Sequence, residues 1–388
     1  MNILGINGSI GWDGNISTAI QGFGEFWVHG SGATLIMNGE LKTAINEERF
    51  SRIKYDGNYP KSSIENILDY NKLTKYDIDL VVYVGNCVTL NFELKLNGYI
   101  KDKLQEYFPN CKVEFVYHHV AHTAATFYTS GFNESDILSF DGAGDQELQP
   151  NEGWKTSHLK FSQGKDLTLT EVTTWYLNEL PMHTGLGSFY GMLSVVAYQN
   201  KMNIKEDWSY TGWGVDRETY PGKVMGMAAF GDYQKIDLPD LFHLERGRQR
   251  YSNIEWEDCF PELRNSTEWL SIPPDSLKKF KPEDLAAWSQ HQFEKYLLLF
   301  LSHIPKKMKR DNLCLGGGCA LNILANSKII EQGIYKNVHV NTAPNDDGLH
   351  FGAALYKAAE YEHKITLPDD IGYLGIPYTD EDIEVALC

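Results

Sequence analysis

Short apolar runs alternating with amphipathic stretches organise this chain. Asn2 to Gly8 reads as a buried strand. Ala33 to Met37 and Leu41 to Asn46 flank Asn38-Gly39, a dipeptide that tolerates the positive φ angles of a two-residue hairpin. The spacing of Ile64, Ile67 and Leu68 predicts a helix over Ser62 to Tyr70. Asp79 to Val84 and Val113 to Tyr117 read as further strands, the second running into a helix that begins near His118. The pattern then restarts with the strand Asp136 to Phe140. A long amphipathic helix at about Leu285 to Ile304 follows, then the strand Asn312 to Leu315, a glycine turn and a helix from about Ala320. The strand Val338 to Asn341 and a last helix near Leu349 to Glu362 complete the series. Asp145 to Tyr251, rich in Gly, Tyr and Trp, reads as irregular and is expected to supply loops around a cleft. Such a succession predicts α/β architecture, with ligands at the carboxyl ends of strands between two lobes.

Composition narrows this picture only a little. The 388 residues exceed one average domain, and 42% hydrophobic against 22% charged residues is ordinary for a globular protein. No apolar run reaches the ~20 residues of a membrane span, and the N-terminus lacks the basic and apolar regions of a signal peptide, so a cytoplasmic protein with no membrane partner is expected. Six scattered cysteines (Cys87, Cys111, Cys259, Cys314, Cys319, Cys388) without a CxxC pair read as reduced thiols rather than a disulfide or zinc framework. The net charge of −17 opposes general nucleic-acid affinity, although Arg246 to Arg250, Lys278-Lys279 and Lys306 to Arg310 are locally basic.

Five stretches carry candidate chemistry. In Tyr117-His118-His119-Val120-Ala121-His122, a helix start would set His118 and His122 one turn apart on one face, a spacing that suits a single metal ion. An isolated pair of this kind is more often two ordinary histidines, but Asp141 at a strand end before Gly142, and Asp346 in Pro344-Asn345-Asp346-Asp347-Gly348, supply carboxylates. Two imidazoles and two carboxylates with positions left open suit iron, manganese or zinc. HExxH is absent, which disfavours a zincin protease. Gly316-Gly317-Gly318, between a strand and a helix, offers bare backbone N–H groups to a nucleotide, or is merely a tight turn. Glu47-Glu48-Arg49-Phe50-Ser51-Arg52-Ile53-Lys54 is either a solvated charged face or a source of cations for a phosphate or carbonyl oxygen.

Taken in order, these stretches resemble the O-carbamoyltransferase family of nodulation-factor, cephamycin and tobramycin enzymes. The matching pieces are Ile3 to Asn7, Asn46 to Lys54, HHVAH, Asp141-Gly142, Gly222 to Gly231, LGGGCALN and Pro344 to Gly348. The N-terminal part of that family is similar to tRNA threonylcarbamoyl-transferring proteins. The resemblance therefore implies a two-lobed actin-like (ASKHA) α/β fold with mixed sheets and a central nucleotide cleft. It also implies lobes at residues 1–133 and 134–366, and a tail at 367–388 resembling the junction to an adenylate-forming domain. His118, His122, Asp141 and Asp346 match the family's metal ligands. Gly316, Gly317, Gly318 and Asn322 match its nucleotide turn, and His29 and Lys54 the pair that faces the carbamoyl group. In the family, carbamoyl phosphate and ATP form carbamoyl adenylate, and an acceptor hydroxyl then attacks it with release of AMP.

Two departures accompany the resemblance. An insert of roughly Ser9 to Val28, with Trp12, Phe23, Phe26 and Trp27, precedes His29, and the usual His-Asp-x-Ser reads His29-Gly30-Ser31-Gly32. The sequence ends at Tyr373 to Cys388, which resembles the junction into the family's adenylate-forming domain, so the expectation is that a separate protein supplies the adenylate, the chain is a fragment, or a minimal version does both steps. The acceptor expected is a sugar or natural-product hydroxyl, or a hydroxymethylated pyrimidine in a nucleotide or DNA. Alternatives are a kinase or hydrolase of the same fold, with magnesium, and a non-catalytic nucleotide-binding subunit.

Overall fold

In a computed structural model, the described residues are 1–10, 28–85, 90–149, 153–176, 185–204, 215–246, 261–265, 272 and 274–387. The central part of the aromatic insert, with Trp12, Phe23, Phe26 and Trp27, lies outside them, as do Arg248, Arg250, Cys87, Cys259 and Cys388. The strands are β1 (Asn2–Asn7), β2 (Gly32–Met37), β3 (Glu40–Asn46), β4 (Leu80–Gly85), β5 (Lys112–Tyr117), β6 (Glu134–Phe140), β7 (Gln146–Gln149), β8 (Gly153–Lys165), β9 (Thr168–Tyr176), β10 (Phe242–Arg246), β11 (Pro261–Asn265), β12 (Asn312–Gly316) and β13 (Asn337–Val340). The helices of two turns or more are α1 (Lys61–Tyr70), α2 (Leu90–Tyr107), α3 (His118–Tyr128), α4 (Leu186–Met202), α5 (Val215–Met227), α6 (Pro282–Ser302), α7 (Ile323–Glu331), α8 (Leu349–Glu362) and α9 (Asp380–Leu387). None among the described residues is long and apolar enough to cross a membrane. The chain forms two compact units, Met1–Gly85 with Asn91–Thr129 and Asp346–Cys388, and Asn86–Leu90 with Ser130–Asn345.

The first unit is built on a mixed sheet of order β3-β2-β1-β4-β5. Asn38 and Gly39 both take positive φ, the backbone that lets β2 and β3 turn back as an antiparallel pair. β4 runs parallel to both β1 and β5. Helix α8 presses on β1 where Gly5 leaves room: a methyl there would overlap the His350 carbonyl and lie 2.8 Å from Ala354 Cβ. On its other side, Gly352 admits the backbone of α3, since a methyl would overlap the Ala121 carbonyl. These close approaches place α8 in the first unit, whereas the lobe boundary expected from the sequence at residues 134–366 gives it to the second. The tail also differs from a bare junction. Thr366 and Leu374 carbonyls accept the N–H groups of Leu41 and Ala44 at 2.9 Å each, so residues from 366 on are stitched to the open edge of β3.

The second unit has a six-stranded mixed sheet of order β13-β12-β6-β8-β7, with β9 on β8. β12 lies parallel to β6 and β13, while β8 is antiparallel to β6, β7 and β9. Residues Asp145 to Tyr251, expected as irregular loops, thus contain the β8–β9 hairpin and helices α4 and α5. The hairpin is rich in Thr and Lys, and among its described side chains Leu159, Phe161 and Trp175 are buried in the core, where Trp175 meets Phe300 of α6 edge-on at 4.9 Å. Helix α6 starts with Pro282 and the acids Glu283 and Asp284, suited to free N–H groups and a positive dipole end. Two residues of the basic run before β12 are spent internally, while Lys306 and Lys307 stay exposed. Arg310 bonds the Gly164 carbonyl at 2.7 Å and Glu134 at 3.3 Å, and Lys309 Nζ reaches the Leu301 carbonyl at 3.2 Å. Cys111, Cys314 and Cys319 are buried, and burial pushes the Cys111 and Cys314 thiols up to about 11.

Candidate metal centre and nucleotide turn

Tyr117 is extended at the end of β5, and the next residue starts α3, so His118 and His122 stand on consecutive turns of one buried face. Their Nε2 atoms lie 3.0 Å apart. Asp346, buried in the turn before α8, completes a three-donor cluster: its Oδ1 is 3.5 Å from His118 Nε2 and 3.3 Å from His122 Nε2. A metal with bonds of about 2.1 Å has donor–donor edges of about 3.0 Å if octahedral and about 3.4 Å if tetrahedral. The three edges lie in the range that one coordination shell requires, and two imidazole nitrogens with a carboxylate oxygen suit a borderline divalent ion. His119, between the two, is not part of this donor set.

His29 joins the same cluster from the loop before β2. Its Nε2 is 3.3 Å from Asp346 Oδ2, and Asn7 Nδ2 holds the loop by donating to the His29 and Gly30 carbonyls at 2.9 and 3.1 Å. Gly30 explains the departure from His-Asp-x-Ser. It has φ of 65°, and a side chain there would come within 2.5 Å of Asp347 N and 2.6 Å of the Asp346 carbonyl carbon. Lys54 is not drawn into the cluster. Its Nζ pairs with Glu48 at 3.1 Å, its side chain is 59% exposed, and Tyr55 lies between, meeting His29 edge-on and carrying Lys54 Nζ 4.5 Å from its ring centre.

The charged run around Lys54 divides, because Glu47 is buried and functions as a remote helix cap. Its carboxylate accepts Ser62 N–H at 3.0 Å and both the N–H and hydroxyl of Ser63 at 2.7 Å. It therefore faces neither solvent nor a ligand.

In the second unit, Asp141 and the glycine turn form one structure. Asp141 follows β6 and accepts the N–H groups of Gly142 at 2.7 Å and Gly318 at 2.9 Å. Gly317 has φ of 89°, and a side chain on it would overlap the Phe140 carbonyl. Gly316 closes β12. Residues Gly318–Leu321 make a short 3-10 turn, and Asn322 then caps α7 by accepting Ala325 N–H at 3.1 Å, so the helix begins three residues later than the sequence suggests. Behind Asn322 stand Gln290, Glu294 and Tyr190, which the sequence reading does not single out. Their signal is polar residues in register with the apolar stripe of α6, where Gln290 and Glu294 are buried.

The carbamoyltransferase N-terminus family matches residues 101–355. The chain belongs to this carbamoyltransferase family. The matched segment contains His118, His122, Asp141, the glycine turn, Asn322 and Asp346, and leaves His29 and Lys54 outside it. An uncharacterized protein of Synechocystis is 28% identical over 95% of this chain and 62% of its own length. The nodulation protein NolNO of Sinorhizobium fredii is 28% identical over 86% of this chain and 47% of its own. The chain thus spans about half to three-fifths of these relatives. Full-length HypF in a phosphate- and nucleotide-bound form superposes with a TM-score of 0.51 at 14% identity, covering 90% of this chain and 47% of that one. At that identity the likeness shows the fold: this member of the carbamoyltransferase N-terminus family shares an α/β architecture with HypF.

Proposed function

We propose that this domain is the metal- and nucleotide-binding core of an O-carbamoyltransferase with an actin-like fold. It would move a carbamoyl group from carbamoyl adenylate, made from carbamoyl phosphate and ATP, to an acceptor hydroxyl. The observation that carries the reading is the convergence of His118, His122 and Asp346 at edges of 3.0–3.5 Å in a chain of the carbamoyltransferase family. Asp141 is the fourth ligand in this proposal, with iron, manganese or zinc as the ion. When bound, the ion supplies Lewis-acid charge toward phosphate oxygens.

The chain's own residues account for the rest. The glycine turn offers the nucleotide a backbone bare of side chains, while the Gly317 and Gly318 N–H groups are held internally by the Pro344 carbonyl and the Asp141 carboxylate. The acceptor oxygen forms a bond to the carbamoyl carbon as the carbon–oxygen bond to AMP breaks, and AMP leaves with that electron pair. His29 receives the hydroxyl proton, and the carboxylate beside it orients the ring. Lys54, on an exposed side chain next to the Tyr55 ring, steadies charge developing on the carbamoyl oxygen. A hydroxylated small molecule or a pyrimidine nucleotide fits as acceptor better than duplex DNA, given the net charge of −17 and the internal use of Lys309 and Arg310.

The test supplies the chain with carbamoyl phosphate, ATP, a divalent metal and a panel of hydroxylated acceptors, with and without a separately prepared adenylate-forming protein. AMP together with an acceptor heavier by one carbamoyl group supports the reading. ADP without carbamoylated product would instead indicate a kinase or hydrolase.

A further inference from the structure

Behind the glycine turn, the second unit closes a buried hydrogen-bonded ring around Asn322, whose other members the resemblance does not assign. Gln290 Nε2 donates to Glu294 Oε1 at 2.8 Å and to Asn322 Oδ1 at 3.0 Å. Its Oε1 accepts from Tyr190 Oη at 2.8 Å and from Asn322 Nδ2 at 2.9 Å. Gln290 has therefore used both donors and both lone pairs. Lys328 Nζ takes the other oxygen of Glu294.

The direction of every bond in this ring follows from Glu294. An ionised carboxylate only accepts, so Gln290 must face it with its NH2 group. Gln290 then presents its oxygen to Tyr190 and Asn322, which obliges Asn322 to answer with its own NH2. The Ala325 N–H makes the same demand independently, because it needs Asn322 Oδ1 as its cap. One valence is left over, the second hydrogen on Asn322 Nδ2. A network this complete around one spare donor, immediately after the glycine turn, is more than a cap requires, since a serine would cap α7 equally well.

We propose that Glu294, acting through Gln290, locks the Asn322 amide so that its free N–H is held out as a donor to the bound nucleotide. Gln290 and Glu294 are thus positioning residues, and the ligand they select presents an oxygen or ring-nitrogen acceptor at that point. The inference rests on the nucleotide reading given above and adds the polarity of the contact.

ATP titration of the full chain by calorimetry tests it, with thermal melts alongside, for Glu294→Gln, Gln290→Leu, Asn322→Asp and the Gln290→Leu/Asn322→Asp pair. Glu294→Gln keeps the shape and removes the fixed polarity; Asn322→Asp keeps the cap and removes the donor. Each single variant is expected to bind ATP about tenfold more weakly, the worth of one good hydrogen bond. The pair is expected to bind no more weakly than Asn322→Asp alone, because both changes remove one contact. Wild-type ATP affinity in folded Glu294→Gln, or losses that multiply in the pair, overturns the proposal while leaving the nucleotide reading intact. A wild-type chain that binds no ATP overturns both.

Discussion

Replacing Gly5 with alanine sets a single methyl group against helix α8, and its consequences reach the proposed metal ligands. The new Cβ overlaps the His350 carbonyl and lies 2.8 Å from Ala354 Cβ and 3.1 Å from Ala354 N. Carbon atoms pack at about 3.5–4.0 Å, so Ala354 alone demands roughly an ångström of extra separation. Nothing nearby yields easily, because Ile3, Ala353, Ala354 and Leu355 are fully buried. Overpacking of this kind costs about 1–3 kcal/mol, and a unit of this size loses about 2–4 °C of melting temperature for each kcal/mol. Helix α8 begins three residues after Asp346, whose backbone packs on Gly30. A displaced α8 therefore carries Asp346 away from His118 and His122, and metal affinity is expected to fall with stability. Calorimetric melting and a metal titration of Gly5→Ala beside the wild type read both effects. A variant that melts within a degree of wild type and binds metal equally well would refute the packing of α8 on β1 and its link to the site.

Glu47→Ala should destabilise the first unit by about 1–3 kcal/mol, since two backbone donors of α1 and a hydroxyl lose a buried carboxylate; denaturant unfolding reads the loss. Glu114 responds to acid. Burial alone would raise its carboxyl, but hydrogen bonds from Lys112, Lys357 and Tyr361 outweigh this and bring it from 4.5 down to about 2. Its contribution is present above the unfolded value and is lost as pH falls through the folded one, so the melting gap between wild type and Glu114→Gln should close between pH 4.5 and 2. A gap that persists unchanged to the bottom of that window contradicts the assignment. Lys54→Ala removes an exposed ion pair and a contact with the Tyr55 ring, both at the surface, so melting and ATP binding should hold while carbamoyl transfer falls; unchanged turnover would take Lys54 out of the mechanism.

Local signals in this chain were legible where a few adjacent residues dictate geometry. Asn38-Gly39 announces its hairpin, the spacing of His118 and His122 already sets two imidazoles on one face, and the bounds of α8 follow from its apolar pattern. Contacts between distant residues were not. Nothing local shows that α8 returns to the first unit, because the cause is the absence of side chains at Gly5 and Gly352. The β8–β9 hairpin hides behind a polar face, with three large apolar residues turned inward among many lysines and threonines. Glu47 resembles its charged neighbours until Ser62 and Ser63 arrive 15 and 16 residues later. The ring at Asn322 pairs α6 with a turn 32 residues away, and its polar members read in sequence as one face of an amphipathic helix.

The central claim, that His118, His122 and Asp346 form a metal centre in this carbamoyltransferase domain, is met most directly by counting ions. Elemental mass spectrometry on the chain loaded with iron, manganese or zinc and freed of excess metal should find one ion per molecule. His118→Ala and His122→Ala should each retain almost none while keeping a folded circular-dichroism spectrum. A wild-type chain that retains no ion, or histidine variants that retain as much as wild type, would contradict the account.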